Sequence, residues 1–407
     1  MKKLNSWLVA PQPRLGIFGL LILLVVASLI TPLSLDMYTP AVPHMTDHFN
    51  TNASTVNLTL VGYYLFFSVG LLIFGPISDK HGRRPILMGG MAVYTAGSAL
   101  CAMATSIWAL IAFRVVEALG AGAVSAVSTA VVKDAFCAER REAVLSVVQV
   151  MFVIGPVLAP VVGAFIVRVA DWRVTFWVLA AVGALCFVLT VLFKETLPEN
   201  ERYQGSVLGS LCNLGVVAKN KGFTSFLLIV GMFNLPFMAY IAVASYVYID
   251  FFGLDEMGYS LYFAIAALLT AVGPFIWLVA QKFMNARRFT NIILTIAGLS
   301  GVAMLCVGQI SPALFCVTFL VFAVMQACVR PYSTNILLSQ QEEDTGAASS
   351  LINFLHTAVG SLGMVIAVLP WANYVEGVGV IIVASMIIAG LGWFALLRSN
   401  APLKGVK

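Results

Sequence analysis

Three charged residues stand inside long apolar stretches: Asp36, Arg114, and Glu117 three positions after it. A charge deep in a bilayer is costly unless it is paired or wet, so these residues are candidates for proton carriage and for binding a solute. Arg114 and Glu117 share one helix face. With residue 117 at the middle of its span, Arg114 lies ~5 Å toward the outside, and Asp36 lies ~10 Å outward of its own span's centre near Leu29. Asp36 and Arg114 are therefore expected nearly to meet. One arginine cannot neutralise two carboxylates, which leaves one acid able to exchange a proton with the outer side; Asp36 is the expected carrier and Glu117 its competitor. Pro32 and Pro40, about one turn before and after Asp36, leave backbone carbonyls unpaired, which is tolerable only beside water. The plainer alternatives are an interfacial, solvated Asp36 and an Arg114–Glu117 pair that only locks its span.

Other constellations are weaker. Residues 75–85 read Gly-Pro-Ile-Ser-Asp-Lys-His-Gly-Arg-Arg-Pro, a charged hairpin between two apolar stretches. Its small residues Gly75, Ser78 and Gly82 suit close approach of two helices and a tight turn, with Asp79 ending the first helix and Lys80, Arg83 and Arg84 at the membrane surface. Arg330 lies ~27 Å along its span, so its side chain is expected to snorkel to the inner surface. Asn353 and His356 read as a buried hydrogen-bonded pair or a second titrating site. Phe233, Phe237, Met238, Tyr240 and Ile241 form a stripe that is either helix packing or the soft wall of a pocket accepting many shapes. Asn57, Tyr63 and Tyr64 are possible cavity donors. Gly155-Pro156, Pro160 and Gly163 predict a bent helix that packs closely on a neighbour.

The elements that position these residues follow from composition. With 60% hydrophobic and 10% charged residues and a mean hydropathy of +0.97, the 407-residue chain reads as a polytopic membrane protein. Apolar windows of the length a ~30 Å hydrocarbon core requires fall near 15–36, 56–77, 86–104, 107–129, 143–166, 174–193, 223–249, 259–281, 289–308, 312–337, 346–369 and 376–397. Of the 23 Lys and Arg residues, all but Arg114, Arg168, Arg173 and Arg330 fall on the side of the N-terminus. Both termini are therefore expected in the cytoplasm, and the net charge of +5 is a topology signal without bearing on nucleic acid. Lys2 and Lys3 mimic the start of a signal peptide, but the apolar run is too long, so it is kept as the first span. The seven cysteines are an odd number and the four histidines are scattered, so neither disulfides nor a metal are expected. No nucleophile–base set or nucleotide loop points to an enzyme.

The polar stretch 194–222 divides the spans six and six, giving an N-terminal bundle over 1–193, a linker, and a C-terminal bundle over 223–407. The halves echo one another at an offset of 204 residues: Pro32 maps to Pro236 and Arg83-Arg84 to Arg287-Arg288, while Phe283 and Ala286 stand where Asp79 and Gly82 would repeat.

The 75–85 loop closely resembles the signature of the major facilitator superfamily, Gly-x-x-x-Asp-Arg-x-Gly-Arg-Arg/Lys. The resemblance narrows to the Bcr/CflA-like drug:proton antiporters on Leu35-Asp36-Met37-Tyr38-Thr39-Pro40, Arg114 with Gly120 and Gly122, Lys133-Asp134, Gly155-Pro156 with Ala159-Pro160 and Gly163, Trp172-Arg173 with Phe176, and Glu195-Thr196. Span 7, with Leu235-Pro236-Phe237-Met238-Ala239-Tyr240, is similar to multidrug exporters of that group. Glu117, Asn57 and Ser28 depart from residues common in relatives. The resemblance implies an all-α membrane fold, two six-helix bundles around a central cavity, and a monomer in the bacterial cytoplasmic membrane without cofactors. It would export small lipophilic drugs in exchange for protons by alternating access. A metabolite exporter, for an amino acid derivative or a sugar, would use the same fold. It favours the pocket reading at Phe237, Met238 and Ile241, which join Asp36, Asn57, Tyr63 and Tyr240 as candidate substrate contacts, and it implies a conformational latch of Gly75, Asp79, Gly82, Arg83, Arg84 and Asp134. In that latch Arg83 pairs with Asp134, and Asp79 faces the start of span 11 near Thr345 and Gly346. Gly155, Pro156, Pro160 and Gly163 would form the antiporter motif, a closing surface packed on the other half.

Overall fold

The computed structural model describes residues 7–340 and 345–399. Among them, twelve helices are long and apolar enough to cross a membrane. They are α1 (Gly16–Asp36), α2 (Ala53–His81), α3 (Arg83–Ala102), α4 (Ile107–Ala135), α5 (Ala138–Val169) and α6 (Arg173–Leu192). The second set is α7 (Lys221–Phe251), α8 (Glu256–Ala280), α9 (Ala286–Val307), α10 (Pro312–Ser339), α11 (Thr345–Ala367) and α12 (Tyr374–Arg398). Their starts are written in the sequence. Ser106, Asn220, Asp255, Asn285, Ser311 and Asn373 each accept from a backbone N–H of the first turn of α4, α7, α8, α9, α10 and α12, satisfying donors that a helix start leaves free.

Two spans are broken where proline demands it. In α7 the helix pauses between Gly231 and Asn234, ahead of Pro236, and closes in a π-helical turn over Tyr246–Phe251. In α8 it pauses between Thr270 and Gly273, with Pro274 opening the second segment.

The chain forms two compact units. Unit 1 takes in the residues up to Ala41 and Gly62–Leu211; unit 2 takes in Val42–Val61 and the residues from Cys212 onward. The excursion over 42–61 departs from the half-and-half sequence boundary. It is tied into unit 2 by Ser54 Oγ donating to Val368 O at 2.8 Å, Asn57 Nδ2 donating to Met364 O at 2.9 Å, and His44 Nε2 against Glu256 Oε1 at 2.7 Å.

Each unit follows one packing plan. In unit 1, α3 packs on α4 and α6, and α1 packs on α5; in unit 2, α9 packs on α10 and α12, and α7 packs on α11. Small residues permit the approach. A Cβ on Gly97 of α3 would fall 2.7 Å from Glu117 Cα of α4, too close to exist without displacing a backbone. Gly163 of α5 abuts the Met37 carbonyl that follows α1, as Gly363 of α11 abuts the Leu235 carbonyl of α7.

Candidate functional site

The acids of unit 1 are set by where two helices end and cross. Helix α1 contains Pro32 and stops at Asp36, whose carbonyl accepts from Thr39 Oγ1 at 2.7 Å as the chain tightens into a 3₁₀ turn over Thr39–Ala41. Asp36 is buried at 5% exposure, and among the described residues no basic group lies within 4.0 Å of its carboxylate. Arg114 and Glu117 of α4 are both fully buried and bonded, Nη1 donating to Oε2 at 2.9 Å. Ser98 Oγ donates to Glu117 Oε1 at 3.0 Å, and Cys101 Sγ reaches Oε2 at 3.7 Å. Aromatic rings enclose the guanidinium: Tyr63 at 4.2 Å, Tyr38 at 5.4 Å and Phe176 at 5.6 Å from ring centroid to Cζ.

Among the described residues no ion pair joins Asp36 to Arg114, whose carboxylate partner is Glu117. Helix α1 ends at Asp36, and the ring of Tyr38, two residues on, lies beside the guanidinium. Two consequences follow for the chemistry. Arg114 and Glu117 neutralise each other, while Arg114 Nε and Nη2 have no hydrogen-bond partner among the described residues. Asp36 is a buried carboxylate with no ion-pair partner among the described residues.

The 75–85 loop is held by residues distant in sequence. Arg83, 6% exposed, donates from Nε to Asp134 Oδ2 at 2.7 Å and from Nη1 to Ser78 Oγ at 2.7 Å, and the same nitrogen bonds Asp79. Arg84 Nη2 donates to Val191 O at 2.9 Å. Glu195 completes the turn. Its carboxylate accepts from the backbone N–H groups of Arg83, Arg84, Thr196 and Leu197 at 2.9–3.0 Å. Gly82 is required on two counts: its φ is +98°, and a Cβ there would fall 2.6 Å from Glu195 Oε2. Gly75 is a correction, since a Cβ added there meets nothing within 4 Å. Thr345 and Gly346 fall outside the residues described to the side-chain level.

Gly155 and Gly163 of α5 pack on Pro32 and on the Met37 carbonyl, inside unit 1. Their small size lets α1 close on a helix bent at Pro156 and Pro160. The close contacts they make are with α1 of their own half.

Unit 2 holds the remaining candidates. Tyr240 is buried, stacked on Phe319 with ring centroids 3.5 Å apart and 8° between planes, and ringed by Phe263 and Phe315. Ile241 is buried, whereas Phe237 and Met238 are half-buried, Phe237 lying 6.2 Å from Phe319 and Met238 lying over Gly360. Asn57 spends its amide N–H on Met364 O and sits at 0% exposure. Arg330 does not behave as a snorkelling side chain alone: its Nη2 points to Asn353 Oδ1 at 3.4 Å. Asn234 Nδ2 donates to the His356 carbonyl, and Gln326 Nε2 donates to Asn234 Oδ1 at 3.3 Å, so the Asn353–His356 pair belongs to a network on three helices.

Glu195 and Asn234 were not singled out as site residues by the sequence. The signal for Glu195 was its place in the resemblance; nothing local predicted that it would gather four N–H groups. Asn234 carried no signal beyond a polar side chain in an apolar span.

Comparison with known proteins agrees with this architecture. Residues 24–364 match the family model described as Major Facilitator Superfamily. The chain is 28% identical over 389 residues to the uncharacterized MFS-type transporter YdgK of Bacillus subtilis (strain 168), covering 94% of this chain and 96% of that one. It is 27% identical to the bicyclomycin resistance protein homolog of Haemophilus influenzae, over 85% of this chain and 87% of the relative. To the chloramphenicol resistance protein of Pseudomonas aeruginosa it is 30% identical over 63% of this chain and 60% of the relative. A crystal structure of peptide transporter POT in complex with sulfate superposes with a TM-score of 0.75 at 16% identity, over 97% of each chain, which speaks to the fold alone. The chain is a multi-pass membrane transporter that belongs to the Major Facilitator Superfamily.

Proposed function

We propose that this transporter exports small lipophilic drugs or antibiotics in exchange for protons across the bacterial cytoplasmic membrane, as a monomer with both termini in the cytoplasm. The observation that carries the reading is Asp36, a buried carboxylate with no basic partner among the described residues, at the broken end of α1. Such a group is neutralised by a proton more readily than by a fixed charge, so its occupancy can be made to depend on a bound solute. Relatives named for resistance to chloramphenicol and bicyclomycin support antibiotics as the solutes. The half-buried Phe237 and Met238 support an adaptable apolar wall.

In this reading Arg114 and Glu117 fix the neighbourhood of Asp36. The network of Asp79, Gly82, Arg83, Arg84, Asp134 and Glu195 serves as the latch of the conformational cycle, and the Gly155–Gly163 stretch serves as the surface that limits leak. A proton entering through ~100 mV supplies about 2.3 kcal/mol, which sustains roughly a 50-fold gradient of a neutral solute. The test is uptake of a phenicol into inverted membrane vesicles energised to an acidic interior. Accumulation that collapses with a protonophore is expected; accumulation that persists unchanged would end the proposal.

A further inference from the structure

Arg330 is an arginine in mid-span that no carboxylate among the described residues neutralises. It sits nine residues before the end of α10, is exposed, and among the described residues has no carboxylate within 4.0 Å; its hydrogen bond to Asn353 is long, at 3.4 Å. Near it on α11, His356 Nε2 is buried without a hydrogen-bond partner. An unneutralised guanidinium and an idle imidazole nitrogen in one apolar unit lack the acceptor that would satisfy both.

The same helices carry an apolar surface in register with this polar one. On α10, Phe319, Gln326 and Arg330 follow a spacing of seven and four, hence one face, and Phe319 is buried there against Tyr240, so the accessible ring is the one it supports on α7. On α7, Phe237 is three residues after Asn234, whose amide is already committed to Gln326 and the His356 carbonyl. Phe237 and Phe319 approach with ring centroids 6.2 Å apart. The aromatic end and the arginine end are ~16 Å apart along α10 by helical rise, a drug-sized distance.

We infer that Arg330, with Asn353 and His356, forms a recognition site in unit 2 for the carboxylate of an amphiphilic aryl acid whose ring body lies on the half-buried Phe237, which the buried Phe319 backs from 6.2 Å. The planar fork of a guanidinium matches a carboxylate with two parallel N–H···O bonds, and His356 in its Nε2–H tautomer adds a third donor. The site gives the exporter proposed above a substrate class, aryl acids beside neutral lipophiles, and it rests on that reading.

The test uses the full chain, purified into lipid nanodiscs, with 2-naphthylacetate and its methyl ester as probes of equal shape. Calorimetric titration of the wild type is expected to show the acid binding at least fivefold tighter than the ester. Arg330→Gln weakens the acid at least tenfold and the ester less than twofold, and Arg330→Lys recovers part of the loss. Equal affinity for acid and ester in the wild type, or equal losses in Arg330→Gln, overturns the site; the wild-type comparison decides even if Arg330→Gln does not fold. Vesicle uptake separates the two proposals. A phenicol carried under a proton gradient while the acid is not bound removes the site and keeps proton-coupled export; an acid bound in the Arg330-dependent manner while nothing responds to the gradient keeps the site and removes export.

Discussion

Units 1 and 2 pack their helices by one plan, α1 on α5 and α3 on α4 in the first, α7 on α11 and α9 on α10 in the second, yet they hold charge in opposite ways. In unit 1 the arginine is sealed: Arg114 is 0% exposed, bonded to Glu117 and enclosed by Tyr38, Tyr63 and Phe176. In unit 2 the arginine is open: Arg330 is exposed and has only Asn353 at hydrogen-bonding range among the described residues. The turns differ in the same sense. The 75–85 turn is locked by Glu195, Asp134 and Gly82, whereas its repeat near 285 has Phe283 and Ala286 in place of the acid and the glycine, and Phe283 is 78% exposed. A paired charge sealed among rings shapes a bundle, and the proposals above accordingly place the chemistry on the charges that have no ion-pair partner among the described residues, Asp36 in unit 1 and Arg330 in unit 2.

The largest way to break this contrast is Arg114→Met. It leaves Glu117 buried without its cation and is expected to cost about 3–5 kcal/mol, read as a lower Tm in detergent. Adding Glu117→Gln to the same protein removes the stranded charge and recovers most of that loss. Single and double variants equally unstable would mean that Arg114 acts through its packing.

A smaller effect sharpens the comparison of the two turns. Glu195→Gln keeps the size but loses the charge that four backbone N–H groups address, and costs about 2 kcal/mol. Asn285→Ala at the repeated turn removes one cap, the bond from Arg288 N at 3.1 Å, and costs about 1 kcal/mol. Urea titration of the two variants should rank them in that order. The smallest effect is at Gly75, where Gly75→Ala meets no neighbour in this structure and stabilises helix α2 by about 0.5 kcal/mol. A loss of stability there would reveal a close contact at Gly75 after all.

Hydropathy and basic-residue placement were enough to find the spans, because a helix crossing a bilayer must be apolar for its whole length and the turns between spans are short. Breaks inside spans were not legible. The pauses at Gly231–Asn234 and Thr270–Gly273 and the π turn at Tyr246–Phe251 leave hydropathy unchanged, and only Pro236 and Pro274 hint at them. Helical rise speaks to depth along a span and not to azimuth, which is why the ring of Tyr38 beside the Arg114 guanidinium was not legible. The pairing of Arg83 with Asp134 came from the resemblance, and the four-fold acceptance by Glu195 needed the fold, since two of its donors, Arg83 and Arg84, lie 112 and 111 residues away along the chain. Asn57 read as a cavity donor because an asparagine in a span invites that reading; its bond to Met364 O depends on the excursion of 42–61 into unit 2, which no local pattern encodes.

The measurement that bears most directly on the account is proton release when a phenicol binds the purified protein in weakly buffered detergent, followed with a pH indicator dye. Asp36→Asn keeps the side chain's size while removing the exchangeable proton, and Glu117→Gln does the same for the sealed pair. The account predicts release in the wild type, retention of release in Glu117→Gln, and its disappearance in Asp36→Asn even where the phenicol still binds. Release that survives in Asp36→Asn and is lost in Glu117→Gln would contradict it, and would place the proton on the acid that the structure shows bonded to Arg114.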